Sequence, residues 1–179
     1  GFKQVTANYT YDIGVAAVPS SSQSIDLINS ERNIPKRTVF NVAPYLRYRY
    51  KMGKQSSLRI DYRGYSSQPS MNQLQPVEDR SDPLRIVVGN PELKPSFQNR
   101  FRARFNDYDE KTQRAIMAMI DGGFTTNSII SETTYDSKTG GQRTTYRNVN
   151  GVWNAAGMLM YSTPFRNKHW HCLLYTSDA

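Results

Sequence analysis

The clearest pattern in the chain is an alternation of apolar and polar residues between positions 97 and 105. Successive residues of a β-strand point to opposite faces of a sheet, so the alternation predicts a strand with two unlike faces. One face would be aromatic and apolar, and the other cationic. The first set is Phe97, Phe101, Ala103 and Phe105, and the second is Gln98, Arg100, Arg102 and Arg104.

Similar strand-like runs recur along the chain, whereas a sustained helical stripe of apolar residues is missing. Connections between the runs alternate between long and short. The long ones, 19–37 and 67–95, form the candidate functional surface, because binding residues concentrate on loops. The predicted strands are 2–18, 38–51, 56–66, 96–108, 112–135 and 142–165, followed by a last incomplete run after 166–168.

The fifth and sixth runs have matched lengths of about two dozen residues each. A Gly-containing turn at 137–141 would fold them into an antiparallel hairpin that pairs Thr112 with Phe165. Strands of that length exceed the usual 3–10 residues of globular proteins. Within the longest connection, residues 69–74 have Pro near the start and predict a single helical turn. Gly89-Asn90-Pro91 further on is a turn signal.

Composition restricts the class of protein. The mean hydropathy is −0.67, and the longest purely apolar run, 115–120, is far shorter than the ~20 residues of a transmembrane helix. A transmembrane β-strand needs only about 9–11 residues, half of them polar, so a β-barrel fits the sequence. One cysteine allows no disulfide framework. The net charge of +8 comes from basic residues spaced by two along strands, which predicts no nucleic-acid site.

The sequence predicts no enzyme, metal site or cofactor. Residues 169–172, His-Trp-His-Cys, lack the spacing of a structural zinc site. Asp107, Asp109 and Glu110 lie at a short turn, where acidic residues are ordinary, and neither a G-x-S-x-G motif nor a P-loop is present. Four methionines at spacing two are predicted to pack or to face lipid rather than to bind a ligand. They are Met117, Met119, Met158 and Met160.

Five segments carry a resemblance to a known family. They are PSMNQL (69–74), SDP (81–83), GNPELKP (89–95), NVNG (148–151) and YSTPF (161–165). Together they resemble the C-terminal barrel region of TonB-dependent receptor-like outer-membrane proteins of Bacteroidota. The resemblance covers roughly residues 2–170 and implies an outer-membrane location. It also implies a large single-chain barrel of about 22 strands with an N-terminal plug.

The resemblance implies that the chain is a fragment: an all-β, open, curved antiparallel meander of about seven long strands, which would form one wall of a transmembrane barrel. Its implied partners are outer-membrane lipid, the rest of its own barrel and plug, TonB through the missing N-terminal region, and an unknown small nutrient ligand. Residues 1–170 would form the partial barrel domain. Residues 171–179 depart from the family pattern and are predicted to be a non-native tail.

The barrel interpretation assigns the two strand faces. Arginine near the bilayer midplane on the lipid side would cost roughly 2–4 kcal/mol each, so the arginines are predicted to face the lumen. The alternative is a soluble or surface-attached β-sandwich that binds glycan or protein, with the aromatic face in its core. The predicted lumen-facing residues are Arg47, Arg49, Arg59, Arg63, Arg100, Arg102 and Arg104. The predicted lipid-facing or girdle residues are Leu46, Tyr48, Tyr50, Leu58, Ile60, Tyr62, Phe101 and Phe105.

Overall fold

The computed structural model describes residues 1–24, 34–76, 78–82, 84–137, 140–165 and 168–178. Its main element is an open sheet of eight antiparallel strands in the order β1-β2-β3-β4-β7-β8-β11-β12. The predicted all-β antiparallel fold is confirmed. These strands are β1 (Phe2–Val5), β2 (Tyr9–Ser24), β3 (Ile34–Lys51), β4 (Ser57–Ser67), β7 (Ser96–Asp109), β8 (Arg114–Thr126), β11 (Val152–Phe165) and β12 (Lys168–Asp178).

The main sheet has eight strands rather than about seven because the run 2–18 is divided. A tight turn at residues 6–8 separates β1 from β2, and the Thr6 amide donates to the Tyr9 carbonyl at 2.8 Å. The connections between neighbouring strands are alternately short and long, as predicted. The short connections therefore lie at one end of the strands, and the long connections lie at the other.

The predicted connection 19–37 was wrong at both of its ends. β2 continues to Ser24 and β3 already begins at Ile34, while residues 25–33 lie outside the described part of the chain. The polar residues here pair across the strands, and the hydroxyls of Ser21 and Thr38 are 2.9 Å apart. Backbone hydrogen bonds to a partner strand hold these residues in the sheet although their strand propensity is low. The prediction relied on composition and therefore ended the strand too early.

Pro44 marks the place where β3 separates from β4. The β3–β4 ladder ends at the pair Tyr45–Arg63, although β3 runs on against β2 and β4 runs on against β7. Proline has no amide hydrogen to donate to a ladder. Beyond it a side chain replaces the backbone pairing, since the Val42 amide donates to the Ser66 hydroxyl at 3.3 Å.

A second, four-stranded sheet has the order β5-β6-β10-β9. The register of the long hairpin is the same in both sheets, from Ala115 opposite Ser162 to Tyr135 opposite Gln142, so the predicted hairpin is confirmed. Its bend was not predicted: Asn127 (φ 51°) divides one arm and Gly151 (φ 91°) the other. The added strands are β5 (Glu78–Asp82), β6 (Arg85–Val88), β9 (Ser128–Tyr135) and β10 (Gln142–Val149).

The predicted helical turn is present as α1 (Met71–Leu74). Ser70 caps it: its hydroxyl accepts from the Gln73 amide, and the Gln73 side chain accepts from the Ser70 amide. Gly89 is enclosed by this turn, because a Cβ there would lie 2.2 Å from the Gln75 carbonyl oxygen. The long connection therefore contains a capped helical turn packed against the backbone at Gly89, rather than only irregular loop.

Two features complete the fold. β12 pairs with β11 as far as Asp178, so most of segment 171–179 lies in a strand, and its non-native origin stays a prediction. Among the described residues, helices that are long and apolar enough to cross a membrane are absent.

Candidate functional site

The strand register places the seven predicted arginines on one face of the main sheet. We call this the arginine face; it comprises Arg47, Arg49, Arg59, Arg63, Arg100, Arg102 and Arg104. The opposite side is the aromatic face, which holds Leu46, Tyr48, Tyr50, Leu58, Ile60, Tyr62, Phe101 and Phe105. The alternation found in the sequence thus extends across the neighbouring strands as two continuous surfaces.

A row of alternating charge crosses five strands in the middle of the arginine face. Neighbours in the row are directly opposite each other in the ladders. The best contact is at one end, where Arg102 Nη2 lies 2.7 Å from Asp121 Oδ2. At the other end, Arg47 Nη1 lies 3.9 Å from Asp12 Oδ2. From β2 to β8 the row reads Asp12, Arg47, Asp61, Arg102 and Asp121.

Rows of like charge flank this central row on both sides. On one side Arg59 stands between Arg49 and Arg104, and on the other Arg63 stands opposite Arg100. Like charges placed directly opposite each other destabilise a sheet. The sequence alone could not show these rows, because they depend on the register between strands.

Two of the flanking arginines turn toward the central row. Arg59 Nε donates to Asp61 Oδ2 at 2.9 Å, and Arg100 Nη2 lies 3.4 Å from Asp121 Oδ1. Among the described residues, Arg49, Arg63 and Arg104 have no carboxylate within ion-pair distance. Cationic groups on this surface therefore outnumber the acids that could neutralise them.

A concavity of about 280 Å³ lies over the centre of the arginine face. Five guanidinium groups and two carboxylates line it, which leaves a net charge of +3. Both flanking rows reach it, together with the central row. Its lining residues are Arg59, Asp61, Arg63, Arg100, Arg102, Arg104 and Asp121.

The four methionines also lie on the arginine face. Met119 stands opposite Met158, and Met117 stands opposite Met160. All four are half-buried, and Arg104 Nη2 lies 3.7 Å from the Met119 sulfur. They therefore do not share a face with the residues predicted to contact lipid.

The aromatic face is exposed over much of its area. The Tyr62 and Phe101 rings are 4.8 Å apart, and Phe101 stacks on Phe124 at 6.1 Å. Yet Phe101 is 45% exposed and Ile120 is 63% exposed. In the described part of the chain no second layer covers this face, so the alternative β-sandwich lacks the core that it requires.

A buried polar side chain within the aromatic face is satisfied by hydrogen bonds. Asn99 is buried, and its amide oxygen accepts from the Tyr62 hydroxyl at 2.9 Å. Its amide nitrogen donates to the Phe124 carbonyl at 3.5 Å. An uncovered apolar surface whose buried amide is satisfied internally suits contact with hydrocarbon, where water cannot supply missing partners.

The acidic residues at the β7–β8 turn stabilise that turn. Asp109 accepts from the Lys111 amide and the Thr112 hydroxyl at 2.9 and 2.8 Å. Asp107 pairs with Arg114 at 3.7 Å, and the Gln55 side chain donates to Glu110. Within the described residues, no group of three or more His, Cys, Asp or Glu is arranged to hold a metal ion.

Residues 3–176 match the outer membrane protein beta-barrel family. The chain belongs to this family. Its location is therefore the cell outer membrane, where it contacts lipid, and proteins of this family are typically non-enzymatic structural or transport proteins. The match extends through position 176, into the segment predicted to be non-native. Neither a curated protein nor a solved structure matches the chain.

Proposed function

We propose that this outer-membrane chain is part of the barrel of a TonB-dependent receptor of Bacteroidota that takes up a nutrient ligand. The observation that carries the proposal is that the main sheet has one arginine face and one aromatic face. The arginine face would line a water-filled lumen, and the aromatic face would meet lipid and the aromatic girdles. Import rather than catalysis is then the activity.

The proposed orientation follows from solvation cost. Seven arginines on the lipid side would cost several kcal/mol in total even near the interface, whereas a hydrated lumen leaves them solvated. Outer-membrane barrels also have short periplasmic turns and longer extracellular loops. The end of the main sheet that carries β5, β6, β9 and β10 would accordingly lie outside the cell, where the protein first meets its ligand.

The further strands and the plug of the proposal would belong to a longer polypeptide. Eight strands leave the sheet open, so further strands would complete the barrel, and a plug would fill it. Energy from TonB would reach the plug through a region outside this chain. The segment GNPELKP supports this assignment by its resemblance and by its position at the entry to β7.

Nutrient depletion by the intact organism tests the proposal. Wild-type cells, cells lacking the parent gene and cells lacking TonB would be grown on the same mixture, and depletion would be followed by mass spectrometry. At least one nutrient should disappear from the medium only when both the gene and TonB are present. Depletion that depends on the gene but continues without TonB would show that this is not a TonB-dependent receptor. Depletion that is the same without the gene would remove the transport role.

A further inference from the structure

The unbalanced rows of the arginine face point to a specific kind of ligand. We infer that the concavity over this face binds a small polyanion that carries carboxylate or phosphate groups. The inference names the ligand class of the proposed transporter, and it rests on that proposal only for the lumenal position of the site. The binding chemistry stands on the residues themselves.

The first argument is the arrangement of like charges. Arg63 stands opposite Arg100, and Arg59 stands opposite Arg104, so the ladder between β4 and β7 places two pairs of like charges directly opposite each other. Strands are about 4.8 Å apart, which brings such side chains within reach of one shared anion. An anion between the members of a pair turns a repulsion into two attractions.

The second argument is that the acids already present are used. Asp121 receives Arg102 at one carboxylate oxygen and Arg100 at the other. Asp61 receives Arg59. These contacts orient three of the guanidinium groups but leave the concavity at a net +3, a charge that a bound anion would reduce.

The third argument is the identity of the cations. All five cationic side chains in the concavity are arginines, and the lining contains no lysine. Guanidinium groups present a planar fork that matches carboxylate and phosphate in bidentate geometry. A merely basic surface would need no such preference, whereas recognition of an oxyanion uses it.

The volume of the concavity and the spacing of its arginine rows limit the size of the ligand. A volume of about 280 Å³ is at the lower end of small-molecule sites. The two flanking rows are four residues apart along a strand, which is about 13 Å. Arg59 and Arg100, one from each flanking row, both turn toward the central row. A compact molecule with two or more anionic groups can therefore contact arginines of both rows, while a single monovalent anion contacts only one.

Binding to the purified full-length protein in detergent tests the inference. The probes are citrate, pyrophosphate and, as a neutral control, sucrose, measured by calorimetry at low and at high salt. We expect citrate or pyrophosphate to bind, sucrose not to bind, and high salt to weaken binding because the site is open to solvent. Preference between the two anions distinguishes carboxylate from phosphate recognition.

Matched double variants locate the binding. Arg63→Gln/Arg100→Gln and Arg59→Gln/Arg104→Gln should each weaken binding at least tenfold. Arg114→Gln/Arg143→Gln removes the same charge at positions away from the concavity and should change binding less than twofold. Heat-modifiable gel mobility of each variant checks that the barrel has formed, and removing a like-charge pair should not prevent that.

The outcomes separate this inference from the transport proposal. If the wild-type protein binds neither anion, or if the control variant loses as much affinity as the others, the inference is wrong. Gene- and TonB-dependent uptake of an uncharged nutrient by such a protein would leave the transport proposal intact. Conversely, anion binding that persists while uptake needs no TonB would overturn only the proposed function.

Discussion

Asn148 and Lys94 are joined by two hydrogen bonds. The Lys94 amide donates to Asn148 Oδ1 at 2.8 Å, and Asn148 Nδ2 donates back to the Lys94 carbonyl at 3.0 Å. The same nitrogen also donates to the Asn127 carbonyl at 2.8 Å. One side chain therefore connects the segment before β7 to the bend of the long hairpin.

Asn148→Ala should open this connection. The change leaves backbone groups of Lys94 and Asn127 without their partner, at a cost of about 1–3 kcal/mol of local stability. Native-state hydrogen exchange at the Lys94 amide measures the loss. Thr145→Ala, three residues away in β10, should leave that exchange rate unchanged; equal effects would show that Asn148 has no special role.

Gly89→Ala should disorder the turn that surrounds it. The added methyl group would lie 2.2 Å from the Gln75 carbonyl oxygen, and backbone cannot move aside as a flexible side chain can. Overpacking of this kind costs roughly 1–3 kcal/mol, so limited proteolysis within residues 71–95 should accelerate. Gly53→Ala is the control, since its nearest neighbour is 3.8 Å away and cleavage should stay at the wild-type rate.

Ile120→Arg tests which face meets lipid. Ile120 lies on the aromatic face and is 63% exposed, so an arginine there should lower the free energy of unfolding from vesicles by roughly 2–4 kcal/mol. Ala156→Arg is matched in depth, but it lies on the arginine face opposite Asp121. It should cost less than about 1 kcal/mol. Similar losses in denaturant titrations of both variants would contradict the assignment of the faces.

Asp121→Asn should have opposite effects on stability and on binding. The variant loses its attraction to Arg100 and Arg102, which are largely exposed, so stability should fall by only about 1 kcal/mol. The freed guanidinium groups should raise affinity for citrate or pyrophosphate. Asp12→Asn, at the far end of the central row and outside the concavity, should leave affinity unchanged. A fall in affinity for the Asp121 variant would contradict the inferred anion site.

Asp109 should give the β7–β8 turn an acid-sensitive stability. Hydrogen bonds from the Thr112 hydroxyl and the Lys111 amide hold the pKa of this carboxyl below its usual value. A lowered folded pKa means that the contribution is complete above the unfolded value of about 3.9 and is lost as the pH falls through the folded value. Exchange protection of the Lys111 amide should therefore decline on strong acidification. In Asp109→Asn that decline should vanish; if it persists, another group is responsible.

The sequence predicted the strands best where one local rule decided the outcome. Alternation between positions 97 and 105 predicted both faces of β7, because a strand side chain has only two directions. Matched lengths around the turn at 137–141 predicted the hairpin register. The boundary of β2 at Ser24 was missed because its partner β3, rather than its own composition, holds it in the sheet.

The arginine face shows the other limit of prediction from sequence. Its seven members followed from the alternation within each strand. The row of alternating charge and the rows of like charge beside it depend instead on the register between neighbouring strands. Asp12 and Asp121 are more than one hundred positions apart and gave no sign of lying in one line. Likewise, β6 pairs in parallel with β10, a contact that the turn signal at Gly89-Asn90-Pro91 could not reveal.

The unbroken register of the long hairpin has a mechanical consequence. Asp121 lies in β8 six positions before Asn127. The two hydrogen-bonded arms of the hairpin therefore contain both Asp121, which pairs with two arginines, and two of the four strands of the second sheet. A force that tilts the second sheet must either flex the chain at Asn127 and Gly151 or rotate the strands that hold Asp121. The left-handed backbone at those two positions already departs from the strand geometry on either side. Bending of the hairpin is therefore expected at Asn127 and Gly151. Motion of the second sheet that is not absorbed there would reach Asp121 and the arginines paired with it.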